Sequence, residues 1–323
     1  MCATLPTQPN PISEVLASLH LAPRQCHKEL TVWPLVRNRE PGSETGPRYI
    51  SLAEALGRDS IVVDEVSEGG DVPHIRVANR GDSAVLVLFG EELVGAKQNR
   101  IANASFLVPA ASQLVIDVSC VEQGRWSRAR GQRFEGLDST VSHAIRHKIH
   151  QSVSAARSAG GRFTADQGEV WEEVGERLRR SGARSATLSY QDYVGTRLED
   201  REEIVQSFEP LPGQVGFVAA IGDEVVGLEV VGDPDVFHRL FQSLLRSYAI
   251  DAADRGWLRS RRRKRSAAAT FDSPEWFLDA LTAAGLERSP SLGLGEDLRI
   301  DGTGISGCAL EAGGIVHLTV FAH

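Results

Sequence analysis

Short apolar runs separated by turn signals fill the first 120 or so residues. "ELTVWPLV" (29–36), "SIVVDEV" (60–66), "HIRVAN" (74–79), "AVLVLF" (84–89) and "SQLVIDVSCVE" (112–122) have the length and composition of strands. "EGGD" and "NRGD" supply turns between them. Strands at this close spacing predict a β-rich lobe over residues 28–130, built as a sandwich or a partly closed barrel. "SLAE" (51–54) has the spacing of a capping box and opens a short helix within it. Ahead of the lobe, residues 1–27 read as a tail rich in Pro, Thr and Asn with one short helix at "ISEVLASL" (12–19).

Beyond residue 130 the period changes. "DSTVSHAIRHKIHQSVSAA" (138–156) places Val141, Ile145, Ile149 and Val153 on one helical stripe. "DQGEVWEEVGERLRR" (166–180) follows a Gly160-Gly161 break, with Asp166 and Glu169 at capping-box spacing and Val170, Trp171, Val174 and Leu178 facing inward. Two segments then echo each other: "GQVGFVAAIGDEVVGLEVV" (213–231) and "GISGCALEAGGIVHLTVF" (304–321) each open Gly-x-x-Gly and carry two apolar strands about a Gly turn. Two such hairpins side by side predict a four-stranded antiparallel sheet. Helices begin at Asp233-Pro234 and at Ser273-Pro274, cap and first-turn Pro in each case. The expected class is α+β, with a second lobe over 131–323 or one continuous unit over 28–323.

Composition narrows the function classes. With 323 residues, 41% hydrophobic and 24% charged, the chain can bury a sizeable core. A net charge of −8 argues against a surface built wholly to grip nucleic acid or anionic membrane. There is no apolar run of bilayer-spanning length and no signal-peptide pattern. The four cysteines, Cys2, Cys26, Cys120 and Cys308, are scattered without a CxxC pair, which points to a reducing, cytoplasmic setting. P-loop, GxGxxG and GxSxG signatures are absent.

The densest chemistry lies in "GEELVGAKQNRIANAS" (90–105), between two strands. One reading is a solvated loop whose charges keep it soluble. The other is a site. Glu91 and Glu92 could act as acid and base, engage ribose hydroxyls or hold a divalent metal. Lys97 and Arg100 suit phosphate oxygens, and Gln98, Asn99 and Asn103 suit an amide or a base edge. Downstream, "SCVEQGRW" (119–126) ends a strand, so Glu122 and Arg125 can converge with that stretch. Cys120 there is a nucleophile or, more commonly for a strand cysteine, core filler; Trp126 stacks on a base or simply packs. His143, His147 and His150 share one helical face at metal-binding spacing, a face that otherwise reads as solvated. "RSRRRKR" (Arg259–Arg265) could touch nucleic acid or an acidic partner, against a plain solvated loop between two helices.

"GEELVGAKQNR" and "SCVEQGRW", with "PLPGQVG" and "LLRSYAIDA" later, resemble a bacterial family, the ARG and rhodanese-phosphatase-superfamily-associated family, ARG being ADP-ribosylglycohydrolase. The resemblance runs from about residue 28 to the C-terminus. It implies a role in NAD-derived nucleotide metabolism and a small-molecule nucleotide partner, and it brings no assigned reaction. Its motif falls on Glu91, Glu92, Gly95, Lys97, Gln98, Asn99 and Arg100, then on Ser119, Cys120, Glu122, Gly124, Arg125 and Trp126. The histidine face and the basic run lie outside it. The leading expectation is a binder or processor of ADP-ribose or a relative. The rival is a protein-interaction module in which the polar stretch is a structural ion network.

Overall fold

A computed structural model describes residues 10–38, 48–67, 69–125, 134–254 and 273–323. In chain order it runs α1 (Pro11–Ala17), β1 (Leu19–Leu21), β2 (Gln25–His27), β3 (Leu30–Arg37), β4 (Tyr49–Ser51), α2 (Leu52–Gly57), β5 (Ile61–Glu65), β6 (His74–Asn79) and β7 (Ala84–Val87). There follow β8 (Glu91–Gly95), β9 (Arg100–Ala102), β10 (Phe106–Val108), β11 (Ser112–Cys120) and β12 (Phe134–Thr140). Four helices come next: α3 (His143–Ser158), α4 (Gln167–Ser181), α5 (Tyr190–Gly195) and α6 (Leu198–Gln206). The chain closes with β13 (Gln214–Ile221), β14 (Glu224–Val231), α7 (Pro234–Ala253), α8 (Pro274–Thr282), β15 (Gly285–Pro290), β16 (Glu296–Gly302), β17 (Ile305–Glu311) and β18 (Ile315–Ala322). The class is α+β.

The two echoing segments are the hairpins β13–β14 and β17–β18, and they lie side by side in the order β13-β14-β18-β17. This predicted four-stranded unit is the centre of a nine-stranded sheet, extended by β16 and β15 on one side and by β3 on the other, with β1 and β2 both pairing with the outer edge of β3. Thus β3, expected with the N-terminal strands, pairs instead with β13. Alternation sorts the sheet's two faces: Phe217, Ala219 and Ile221 meet α7, whereas Val218 and Ala220 share a core with Ile12 of α1 and Phe277 and Leu281 of α8. The helix caps are those the sequence indicated. Ser51, Asp166, Asp233 and Ser273 each accept a first-turn amide, and Pro234 and Pro274 stand at the first helical position.

The remaining strands form a six-stranded sheet, β12-β8-β9-β11-β6-β5, and a three-stranded one, β10-β7-β4. Helix α3 lies against this part, and its burial extends beyond the predicted stripe: His143, Arg146 and His150 are buried along with Ile145, Ile149 and Val153. No helix among the described residues is long and apolar enough to cross a membrane.

Candidate functional site

The polar stretch is not a solvated loop. Glu91, Glu92, Gln98, Asn99, Arg100 and Asn103 are all buried, Arg100 completely so. Charges buried at this density must find partners or shift their protonation, so what each side chain touches decides its role.

Strand register divides the set. Glu92 pairs with Ile101, and Leu93 with Arg100, which in turn faces Cys120 on β11. Consecutive residues of a strand point to opposite faces, so Arg100 shares a face with Leu93 and Cys120 while Glu92 lies on the other. Glu91 and Glu92 are likewise split, and they do not converge as a carboxylate pair on one metal. Glu91 Oε2 accepts the Leu88 amide at 2.9 Å and holds the β7–β8 turn. Lys97 leans away as well, its amide donating to Glu65 Oε1 at 3.2 Å and its ammonium reaching the Gly69 carbonyl. Asn103 is a core brace, donating to Phe163 O at 2.9 Å and accepting from Ser119 Oγ at 2.7 Å.

Gln98, Asn99, Arg100, Cys120, Glu122 and Arg125 do come together. Gln98 Oε1 accepts from Arg100 Nη1 at 2.9 Å and lies 3.1 Å from the Cys120 sulfur. Glu122 accepts the Asn99 amide at 3.2 Å, Arg125 Nη2 at 2.7 Å and the Thr187 hydroxyl at 2.9 Å. Arg125 completes its fork on Asn99 Oδ1, at 3.0 Å, and on the Gly95 and Ala96 carbonyls. Burial pushes the Glu122 carboxyl up, but Arg125 and Thr187 together outweigh it and hold it below the usual range. Burial keeps the Arg100 guanidinium below its ordinary value, opposed by Cys120 and Glu65. The Cys120 thiol is raised by burial in spite of Arg100, which makes it a poor nucleophile at neutral pH.

This cluster backs onto an opening. A cleft of about 490 Å³ lies over α4 and the 183–188 segment, lined by Gln123, Trp171, Glu172, Arg179, Ser185 and Leu188 among others. Trp171 forms the link, since it lines the cleft and its side chain also neighbours the Cys120 thiol, and Gln98 Nε2 donates to the Gln123 carbonyl at 3.4 Å. A family model described as the ARG and Rhodanese-Phosphatase-superfamily-associated Protein domain matches residues 18–321. The chain belongs to that family. No curated protein and no solved structure matches it. The family's name ties its members to ADP-ribosylglycohydrolase and rhodanese-phosphatase proteins. In this member the two motif segments, "GEELVGAKQNR" and "SCVEQGRW", meet at the β8–β9 turn and the end of β11 through the contacts just described.

The histidine face is not solvated. His143, His147 and His150 pack their rings against Phe321 of β18, with centroids 5.0, 5.0 and 5.4 Å away. Burial drives His143 down to about 3 and His150 well below its ordinary value, so both are neutral packing groups. Among the described residues no three His, Cys, Asp or Glu side chains are grouped to hold a metal ion. Trp126 and Arg259–Arg265 lie outside the described residues.

Sequence reasoning missed a heavily bonded group that lies outside the motif. Arg146, in the middle of "HAIRHKIH", sends its fork into Glu229 of β14 at 2.6 and 3.3 Å, both residues fully buried. Glu229 also takes Tyr248 Oη at 2.9 Å, Thr319 Oγ1 at 3.0 Å and His317 Nε2 at 3.1 Å. Ser105 Oγ lies 2.7 Å from His317 Nδ1, so Ser105, His317 and Glu229 line up as hydrolytic triad members do. Their setting is structural instead: Ser105 Oγ accepts the Phe89 amide at 3.0 Å, and Arg146 already neutralises the acid. Burial holds His317 below its ordinary value, and a neutral ring that donates from Nε2 to Glu229 accepts the serine hydroxyl at Nδ1. No spacing rule signals an arginine placed one residue off an apolar stripe.

Proposed function

We propose that the chain binds ADP-ribose or a related NAD-derived nucleotide in the cleft over Trp171. The observation that carries this reading is an opening of small-molecule size beside the family's motif segments, which reach its wall at Gln123. About 490 Å³ falls within the range of small-molecule sites, roughly 300–1,000 Å³. Its walls offer what such a ligand needs. Trp171 presents an aromatic face to a base, Arg179 a fork to phosphate, and Glu172 and Gln123 groups for ribose hydroxyls. The family's association with ADP-ribosylglycohydrolase selects the ligand class. In this reading Gln98, Asn99, Arg100, Glu122 and Arg125 hold the wall rigid from behind, and Glu91 holds a turn.

Calorimetry with ADP-ribose, NAD and AMP, with and without Mg²⁺, tests it. Saturable binding is expected. Trp171→Ala should weaken it at least about fivefold, since stacking on an aromatic side chain contributes roughly 1–3 kcal/mol per base. No binding by the parent, or equal binding by the variant, removes the cleft as the site.

A second reading has its own observation. Arg125, Asn99 and Glu122 satisfy one another almost completely, as a structural network does. If that is their whole role, the chain is an interaction module, and Arg125→Ala lowers Tm while every nucleotide titration stays flat.

A further inference from the structure

Helix α4 carries Arg177, Arg179 and Arg180, and the middle one is set apart. Arg177 Nε reaches Glu173 at 3.1 Å and Arg180 Nη2 reaches Glu176 at 3.0 Å, each pairing with the glutamate four residues earlier. Four residues before Arg179 stands Gly175, which has no side chain to offer. Arg179 is exposed, lines the cleft, and makes no hydrogen bond or ion pair with any other described residue. Long helical side chains run back toward the helix N-terminus, and this one does: a Cβ built on Gly175 would lie 3.3 Å from Arg179 Nη1. The guanidinium therefore rests over the bare backbone of Gly175, on the wall of the cleft, with its donors unengaged.

Nothing in the packing requires a glycine at 175. It stands in the middle of a 15-residue helix and is not among the glycines of positive φ. Apart from Arg179, no other described helix, strand or loop comes within 4 Å of the point its Cβ would occupy. Glycine is a poorer helix former there than any residue but proline. A glycine that weakens its helix and makes room for no neighbouring element has its reason in the cleft. Trp171, which lines the same cleft, lies one turn before it. One turn is about 6 Å along the axis, the reach from a base to its own 5′-phosphate.

We infer that the cleft recognises the nucleoside 5′-phosphate unit of its ligand, base at Trp171 and phosphate at Arg179, and that Gly175 is the residue that sets this specificity. The inference rests on the reading of this cleft as the nucleotide site. Gly175 acts twice. It leaves Arg179 without the carboxylate that neutralises Arg177 and Arg180, and it lowers the helix surface so that the guanidinium seats one turn from the base. The free fork then bonds two phosphate oxygens, a bidentate geometry that arginine offers and lysine does not. A nucleoside without the phosphate keeps the stacking and loses this contact.

Calorimetry with AMP and adenosine tests it, read as the ratio of the two affinities so that any effect of side-chain bulk on the base cancels. The parent should bind AMP at least about tenfold more tightly than adenosine, since hydrogen bonds between charged groups are strong enough for that factor. Arg179→Gln should bring the ratio close to unity and leave adenosine affinity unchanged. Gly175→Glu supplies the carboxylate that Arg179 lacks and should lose most of the ratio. Gly175→Gln, equal in bulk and uncharged, should retain more of it. Both Gly175 variants should unfold at a urea midpoint no lower than the parent's, because each replaces glycine by a better helix former. Equal binding of AMP and adenosine by the parent, or a ratio that survives Arg179→Gln, overturns the inference and leaves Trp171 as the base site. Equal loss in Gly175→Glu and Gly175→Gln, or a midpoint lowered in both, overturns the role of the glycine. A parent that binds neither ligand removes the cleft reading itself, and the inference with it.

Discussion

Two buried glutamates with opposite fates show how one partner decides a residue's cost. Glu229 and Glu92 are both removed from water, but Arg146 holds Glu229 down to about 2 whereas Glu92, without such a fork, rises to about 7. A carboxyl whose folded pKa lies above its unfolded one favours folding only while protonated. Its cost is absent below about 4.5, grows as pH rises, and is complete above about 7. Each tenfold change in proton affinity between the unfolded and folded chain is worth about 1.4 kcal/mol, so Glu92 costs the fold on the order of 3 kcal/mol at pH 8. Glu92→Gln keeps the shape and removes the charge. Urea unfolding should therefore show the variant about 3 kcal/mol more stable than the parent at pH 8, and within about 1 kcal/mol of it at pH 5. A gain independent of pH would mean that the charge on Glu92 carries no penalty.

At the scale of elements, the turn ahead of Glu91 carries the tightest constraint in the motif. Gly90 has φ +78°, and a Cβ there would lie 2.7 Å from Cγ and 2.8 Å from Cδ of Arg146. Gly90→Ala should cost about 2–4 kcal/mol by adding left-handed strain to overpacking, read as a lower urea midpoint with unchanged slope. An alanine variant as stable as the parent would show that the turn and Arg146 move apart freely. Much at this scale was legible beforehand. Caps such as Asp233-Pro234 act through local hydrogen bonds, and paired Gly turns announce hairpins, so both are written in a few adjacent residues. Faces and partners were not. The stripe Val141, Ile145, Ile149, Val153 marked one side of α3, but Arg146 and the histidines are buried too, because β14 and β18 approach from the side. Membership of β3 in the larger sheet rests on pairing with a strand about 180 residues away, beyond any local pattern. The motif cluster was half legible. Proximity of Glu122 and Arg125 to the turn followed from strand ends meeting, but the separation of Glu91, Glu92 and Lys97 depended on register, which no local pattern reveals.

For the whole molecule, Arg146 is the hinge pin between its sheets. Its aliphatic stem packs on the β7–β8 turn, its charge lies over Phe89 at 5.2 Å, and its fork ends on β14 and β18. Removing one side of a buried pair strands the other charge, which typically costs about 3–5 kcal/mol. Arg146→Ala should lose at least that much, since it also leaves a cavity beside Phe89 and frees Thr319 Oγ1. Removing the acid as well, in Arg146→Met with Glu229→Leu, should recover only part of the loss. Tyr248, Thr319 and His317 would then keep polar atoms aimed at a carboxylate no longer there. Acid sensitivity separates the pair from mere packing. Glu229's stabilisation is full above its unfolded value of about 4.5 and is lost as pH falls through about 2. The parent should therefore lose about 3 kcal/mol over that window from this residue, and the double variant should lose correspondingly less. Chemical denaturation of both proteins from pH 5 downward measures the difference. Parallel curves would mean that the sheets are held by apolar contact alone, with Arg146 and Glu229 merely enclosed between them.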